Sequence, residues 1–193
     1  MTEPADLPAK VDAVVIGSGA LGAATAWHLL KAGLSVALVD KAELASQTSA
    51  RAAGLSGQLR SNPVMTRIAA MSVGKIERFA AETGEPLVFH QPGSLKIARQ
   101  DDHVQQLQAE VAQARTLGLD AALVSPDEAE RLMPYLQTGG IRAVMHMRTD
   151  VYLEPAQIPA GYARSAGRLG AVLLANTRVD EITTEGGRVS GVV

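Results

Sequence analysis

Residues 11–41, VDAVVIGSGALGAATAWHLLKAGLSVALVDK, leave little freedom in how a chain containing them folds. Val11, Val14, Val15 and Ile16 form a β-branched apolar run suited to a strand buried on both faces. Gly17, Ser18, Gly19, Ala20, Leu21 and Gly22 follow without a gap, so GxGxxG stands where a phosphate-binding turn needs it. From Ala20 to Lys31 the residues suit a helix, Gly33 stops it, and Val36, Leu38 and Val39 form a second buried strand ending at Asp40.

Each position in this unit has a physical reason. Gly17 lets the chain turn sharply out of the strand, Gly19 admits a pyrophosphate without a Cβ in the way, and Gly22 lets the helix pack closely on the sheet. The helix start offers free N–H groups and the positive end of its dipole to phosphate, with Ser18, Ala20 and Leu21 completing the turn. Asp40, 18 residues after Gly22, can accept hydrogen bonds from a ribose hydroxyl, and its charge repels a 2′-phosphate, which disfavours NADP. A lone GxGxxG also occurs as a plain glycine turn in α/β proteins. With the strand before it, the helix after it and the acid at this distance, the reading is dinucleotide binding.

The remaining composition narrows the class. With 47% hydrophobic and 20% charged residues over 193 positions, the chain is globular and long enough for one domain or parts of two. A formal net charge of −2 gives no electrostatic case for nucleic acid or an anionic membrane. The absence of cysteine excludes disulfides, thiolate metal ligands, a cysteine nucleophile and a cysteine-linked cofactor within these residues. Residues 1–10 are polar and acidic and read as a disordered lead-in without a secretory signal. No uncharged apolar run reaches spanning length, so no membrane contact is expected and cytoplasmic is the default location.

After Asp40 and Lys41 the chain becomes small and polar, with Ser46, Thr48 and Ser49 able to cap a helix or donate to ligand oxygens. On composition this is either a flexible connector or a segment that approaches a flat ring system. Together GSGALG, Asp40-Lys41, SQTSARAAGLSGQLR (residues 46–60) and FHQPGSLKIA (residues 89–98) resemble the amino-terminal half of the FAD-dependent D-amino-acid-oxidase superfamily. Within it the likeness is to the glycine oxidase, sarcosine and dimethylglycine dehydrogenase branch. The resemblance implies an FAD pyrophosphate over residues 17–22 and its ribose on Asp40 beside Lys41. It puts the isoalloxazine side along Ser49, Arg51, Ala52, Ala53, Gly54 and Leu55, and an adenine contact at Val179. Some members carry a covalently attached flavin on a histidine just before the AAG; Arg51 stands there in this chain, which implies non-covalent FAD. Arg51 either offers positive charge to the cofactor or faces solvent, and Arg60 is a further cofactor- or substrate-side candidate.

The chain beyond is read as follows. Asn62-Pro63 starts an amphipathic helix with Met65, Ile68, Ser72, Ile76 and Phe79 on one face, ended by Gly84, with Met71 expected as core filler. Residues 87–98 read as a strand, Pro-Gly turn and strand hairpin, with His90 at the turn. Asp101-Asp102 caps a helix bearing Val104, Leu107, Val111 and Ala114, and Ser125-Pro126 starts a shorter one. Residues 139–152 read as a strand containing His146, with no second ligand at metal spacing and hence no metal site. Asp150 and Tyr152 either line a cleft or, in the case of Asp150, make a turn. Residues 155–169 are helical, with Ile158, Tyr162, Ala166 and Leu169 on one side. Residues 171–182 read as a further strand, with Val172, Leu173, Leu174 and later Val179, which the resemblance implies returns to the nucleotide-binding sheet.

The expected fold class is α/β: a Rossmann-like FAD-binding domain with an inserted sheet-based (α+β) substrate domain, truncated. Residues 11–85 form the first part of the FAD domain, 86–152 a partial substrate domain, and 153–193 the incomplete second part. The resembling enzymes continue past this length, so either a carboxy-terminal half or a partner chain supplies the rest. The implied activity is FAD-dependent oxidation of the C–N bond of a small amino acid or N-methyl amino acid. The alternatives are a nucleotide-binding subunit active only with a partner, or an NAD-dependent dehydrogenase. No catalytic residue is assigned.

Overall fold

The computed structural model describes residues 10–193, so the lead-in expected over residues 1–10 lies, apart from Lys10, outside the described residues. In chain order the elements are β1 (Ala13–Ile16), α1 (Ala20–Lys31), β2 (Val36–Val39), β3 (Leu55–Ser56), α2 (Pro63–Glu77), α3 (Phe79–Thr83), β4 (Phe89–His90) and β5 (Ser94–Ala98). They continue with α4 (Asp101–Thr116), β6 (Ala121–Val124), α5 (Pro126–Leu132), β7 (Ala143–Met147), β8 (Val151–Leu153), α6 (Gln157–Arg168), β9 (Val172–Leu174), β10 (Ile182–Glu185) and β11 (Arg188–Val192). Among the described residues two compact units result, one of residues 10–53, Phe79–Val88 and Glu154–Val193, the other of Gly54–Arg78 and Phe89–Leu153.

The first unit is built on a parallel sheet of order β1-β2-β9, with Ala13 opposite Val36 and Val39 opposite Leu174. Of the strand expected over residues 171–182, Val172–Leu174 returns to this sheet, whereas Val179 is not in a strand. Helices α1 and α6 cover one face, where Ala23, Ala26 and Trp27 meet Leu38, Phe79, Tyr162 and Ala166. Burial of a large apolar side chain such as Leu38 or Phe79 is worth about 1.5–3 kcal/mol. The indole N–H of Trp27 donates to Ser165 Oγ at 2.9 Å, and Ser165 Oγ donates to the Thr83 carbonyl at 2.8 Å, so both buried polar groups are satisfied. β1 departs from the expected strand buried on both faces. It lies at the sheet edge with Val14 and Ile16 exposed, whereas the central β2 is buried throughout. β10 and β11 form an antiparallel hairpin turned at Gly186 and Gly187.

In the second unit two antiparallel sheets carry the architecture, β3-β8-β4 and β5-β7-β6. Leu107, Val111 and Ala114 of α4, spaced as the sequence predicts, pack with Met145 and Met147 of β7, and Ala70 of α2 joins them. Val144, on the opposite face of β7, packs with Ala129 of α5. The predicted hairpin over residues 87–98 is not formed. Phe89 and His90 pair with Leu153 and Tyr152, while Ser94–Ala98 pairs with β7, so the Pro-Gly turn passes the chain from one sheet to the other. Gly93, at φ +75°, donates its N–H to the Asp150 carbonyl at that crossing.

Helix α2 starts as expected, Asn62 Oδ1 accepting from Met65 N–H at 2.8 Å, but breaks at Arg78 before α3 rather than running on to Gly84. Its buried positions are Thr66, Val73 and Ile76; Met65, Ile68 and Met71 are exposed, which corrects the expected core face. Leu169, predicted inward, is likewise exposed. α2 belongs to the second unit, whereas the sequence reading placed it with residues 11–85. Its inner face packs on the α4 cluster through Ala70, which is a tertiary preference that helical periodicity alone does not express.

Candidate functional site

The glycine turn has the geometry its spacing implies. Gly17 leaves β1 at φ +97° and donates its N–H to the Val39 carbonyl at 2.7 Å, tying the turn to the end of β2. A Cβ on Gly22 would lie 1.8 Å from the Gly17 carbonyl oxygen, so only glycine allows α1 to start this close to the strand. α1 has no side-chain cap from Gly19 itself. Instead Ala20 N–H donates to Ser49 Oγ at 3.0 Å, and a Cβ on Gly19 would meet that oxygen at 3.3 Å. A hydroxyl from the short 3₁₀ turn Thr48–Arg51 thus stands at the positive end of α1, where an anionic oxygen is favoured.

Asp40 is fixed by main chain and side chain together. Its N–H donates to the Leu174 carbonyl and its carbonyl accepts from Thr177 N–H, both at 2.8 Å, so the end of β2 is held against the chain leaving β9. Oδ2 accepts the Ser18 N–H at 2.7 Å and the Ser18 hydroxyl at 2.6 Å, and Oδ1 accepts Ala42 N–H at 3.0 Å. Burial pushes this carboxyl up, but the Ser18 hydroxyl, the Ser18 and Ala42 N–H groups and the Lys41 charge outweigh it and hold the group below the usual carboxylate range. A carboxylate has about four lone-pair sites, so these three donors leave room for a ribose hydroxyl. Ser18 is fully buried, and its Oγ also accepts from Ala45 N–H at 2.9 Å, holding Ala45 at φ 63°.

A cavity of about 350 Å³ in the first unit is lined by Gly17, Gly19, Asp40, Lys41, Ser49 and Val179, among other residues. These six expected cofactor residues are therefore brought together. Ser18 lies behind the wall as the holder of Asp40, and Leu21 is 88% exposed. Ala20 and Gly22 shape the helix start. Arg51, Ala52 and Ala53 are exposed and do not line this cavity, while Gly54 and Leu55 fall in the second unit. Thr177 and Arg178 line the wall beside Val179, and Ala45 and Gln47 beside Ser49; the sequence reading did not assign these four. The donor set suits a diphosphate and a ribose: the start of α1 with the Ser49 hydroxyl on Ala20 N–H, no Cβ at Gly17 or Gly19, and an ionised acid held in place.

The other singled-out residues lie in the second unit. His90 and Tyr152 are exposed and opposite each other on β4 and β8; His146 is buried. Asp150 is 5% exposed, accepting Gln58 N–H on Oδ1 at 2.8 Å and the Ser94 hydroxyl on Oδ2 at 2.6 Å. Arg60 lines a separate cavity of about 630 Å³ with Lys96, Glu110 and Asp150. Among the described residues no group of three or more His, Asp or Glu side chains is placed to hold a metal. Among the same residues no helix is long and apolar enough to cross a membrane.

The chain is similar to several known proteins. Mitochondrial dimethylglycine dehydrogenase of Rattus norvegicus is 28% identical over 171 residues, covering 88% of this chain and 20% of that protein. Mitochondrial sarcosine dehydrogenase of Homo sapiens is 31% identical over 178 residues, 91% of this chain and 19% of that protein. The crystal structure of glycine oxidase from Bacillus cereus ATCC 14579 superposes with a TM-score of 0.84 at 27% identity, covering 95% of this chain and 51% of that one. The chain thus spans a fifth to a half of the length of these relatives. The profile of the family DAO, FAD dependent oxidoreductase, matches residues 12–193, and the chain belongs to that family.

Proposed function

We propose that the complete protein oxidises the C–N bond of a small amino acid or N-methyl amino acid of the glycine, sarcosine or dimethylglycine kind. The observation that carries the reading is the held Asp40 sharing one cavity with the glycine turn and Ser49 at the start of α1, in a chain whose family is FAD-dependent. When bound, FAD would supply the two-electron oxidant for the carbon beside nitrogen, leaving an imine from a primary or secondary amine, or an iminium ion from a tertiary one, that water hydrolyses. The contribution of these residues is binding and placement. Gly17 and Gly19 let the diphosphate reach the helix N–H groups, Ser49 Oγ adds a hydroxyl there, and Asp40 takes the ribose with Lys41 and Val179 alongside. Arg51, Ala52, Ala53, Gly54 and Leu55 carry the chain onward to the flavin side in this proposal. The cofactor is held without a covalent bond, since Arg51 offers no linkage.

The names of the relatives support the substrate class, and no residue that grips substrate is assigned among these positions; in this proposal a carboxy-terminal half of the same polypeptide or a partner chain supplies it. A cytoplasmic location goes with the proposal, to be checked by fractionation against the mitochondrial relatives. The test of the substrate class is anaerobic bleaching of the bound flavin by sarcosine, dimethylglycine, glycine and a panel of D-amino acids. Bleaching by at least one is expected; a flavoprotein bleached by none would refute the amine reading and leave the family assignment standing.

A further inference from the structure

Among the described residues two that are not glycine have a left-handed backbone, Ala45 at φ 63° and Asn176 at φ 52°. A residue with a Cβ adopts this conformation at a cost and keeps it where its surroundings hold it. Both lie in the first unit, and each stands where the chain enters the wall of the 350 Å³ cavity. Residues 45–49 line one stretch of that wall, beginning with Ala45; Thr177, Arg178 and Val179, directly after Asn176, line another. The two stretches follow β2 and β9, which are paired neighbours in the sheet.

Hydrogen bonds at Asn176 tie the roots of these stretches together. Its N–H donates to the Ala42 carbonyl at 3.0 Å, and Thr177 N–H donates to the Asp40 carbonyl at 2.8 Å, so backbone bonding continues past the ends of both strands. Asn176 Nδ2 then donates to Glu43 Oε1 at 2.6 Å. Glu43 holds the other stretch in turn, its carbonyl accepting the Ser46 hydroxyl at 2.7 Å and the Ser46 N–H at 3.3 Å. Asparagine suits this position twice over, since it tolerates the left-handed region and its amide supplies the donor. Glu43 and Asn176 are exposed and do not line the cavity. Their side-chain bond therefore acts on a ligand only through the two stretches it joins.

We propose that Asn176 and Glu43 are positioning residues that clasp the two wall stretches and set the width of the cavity at its adenosine end, and with it the affinity for the ADP moiety of the cofactor. This rests on the reading given above, in which Asp40 takes the ribose with Val179 alongside.

The test measures ADP binding by calorimetry and FAD binding by flavin fluorescence on the complete protein stripped of cofactor. Wild type is compared with Asn176→Gly, Glu43→Ala, Glu43→Gln and the double variant carrying Asn176→Gly and Glu43→Ala. Glycine keeps the left-handed backbone and removes the amide, and glutamine keeps an acceptor oxygen. Asn176→Gly and Glu43→Ala are each expected to raise both dissociation constants about 3- to 10-fold, the effect of one lost hydrogen bond. The double variant should bind no more weakly than the weaker single one, and Glu43→Gln should lie closer to wild type than to Glu43→Ala. Unchanged dissociation constants, even in a less stable variant, overturn the proposal, as do additive losses or a Glu43→Gln that behaves as Glu43→Ala. Wild type that binds ADP but no FAD defeats the flavin reading, and the ADP constants alone then decide the clasp; wild type that binds neither overturns both. Should Asn176→Gly not fold, the two Glu43 variants decide on the same constants.

Discussion

Asp40 Oδ2 receives both donors of Ser18, the N–H at 2.7 Å and the hydroxyl at 2.6 Å, so the acid proposed to take the ribose is held by a residue of the glycine turn itself. The glycine turn and the end of β2 are therefore one hydrogen-bonded piece. Because these bonds favour the ionised form over the cost of burial, the folded-state pKa of Asp40 is below its unfolded value. A group depressed in this way stabilises the fold above the unfolded pKa of about 3.9, and the contribution is lost as pH falls through the folded value. Glu85 acts in the same sense: burial raises its pKa, but hydrogen bonds from Arg168 and Arg164 outweigh that and lower it. Urea denaturation from pH 7 down to pH 3 is expected to show stability falling on the acid side. Asp40→Asn and Glu85→Gln should each flatten that fall, and an unchanged pH slope in both would contradict the linkage.

Gly22 and Gly17 require glycine for different reasons, and the two can be separated. A methyl at Gly22 meets a backbone carbonyl at 1.8 Å, whereas at Gly17 nothing lies within 4 Å and the objection is φ +97°. Gly17→Ala is expected to cost about 1–2 kcal/mol of stability. Gly22→Ala is expected to cost about 3 kcal/mol or more, because the helix must move off the strand. Thermal and urea unfolding of the two variants measures the difference, and equal costs would be inconsistent with the close approach of α1.

Ser49 caps a helix that starts 29 residues earlier, through Ala20 N–H. Ser49→Ala is expected to destabilise the protein by about 0.5–2 kcal/mol, the ordinary cost of a lost N-cap. It should also lower flavin content after gel filtration, since the same hydroxyl borders the cavity. Retention of full flavin with unchanged affinity in calorimetry would remove Ser49 from the site.

On α2, Ile76 and Val73 are 7% and 3% exposed while Ile68 and Met71 are 51% and 71% exposed. Ile76→Ala is expected to cost about 2–5 kcal/mol, and Ile68→Ser or Met71→Ser in this chain less than about 0.5 kcal/mol. Unfolding midpoints give the comparison; a large cost at Ile68 would mean that the outer face is packed.

How far the sequence carried depends on where each partner stands in the chain. β1, α1, β2 and Asp40 are contiguous, so the glycine spacing, strand runs and helix stop act locally and could be read directly. Asn62 and Ser125 were legible as caps for the same reason. The pairing of Phe89 and His90 with residues 153 and 152 was not, because an adjacent Pro-Gly turn offers a nearer and equally plausible strand partner. α2 is apolar nearly all round, with Val64, Met65, Ile68, Met71, Val73 and Ile76, so periodicity could not choose its inner face. Gly17, Gly19, Asp40, Ser49 and Val179, grouped in the sequence by spacing and family likeness, line one cavity. The structural work of Ser18 and Asp150 was not legible, since Ser18 meets Asp40 22 residues on and Asp150 meets Gln58 92 residues back.

The most direct test of the central claim is the visible absorption spectrum of the purified complete protein, before and after acid or heat denaturation. A yellow protein with a flavin spectrum, releasing its chromophore into the supernatant, is expected from a non-covalent FAD held by the Asp40 and Ser49 cavity. A correctly folded, colourless protein that takes up no FAD and binds NAD instead would contradict it.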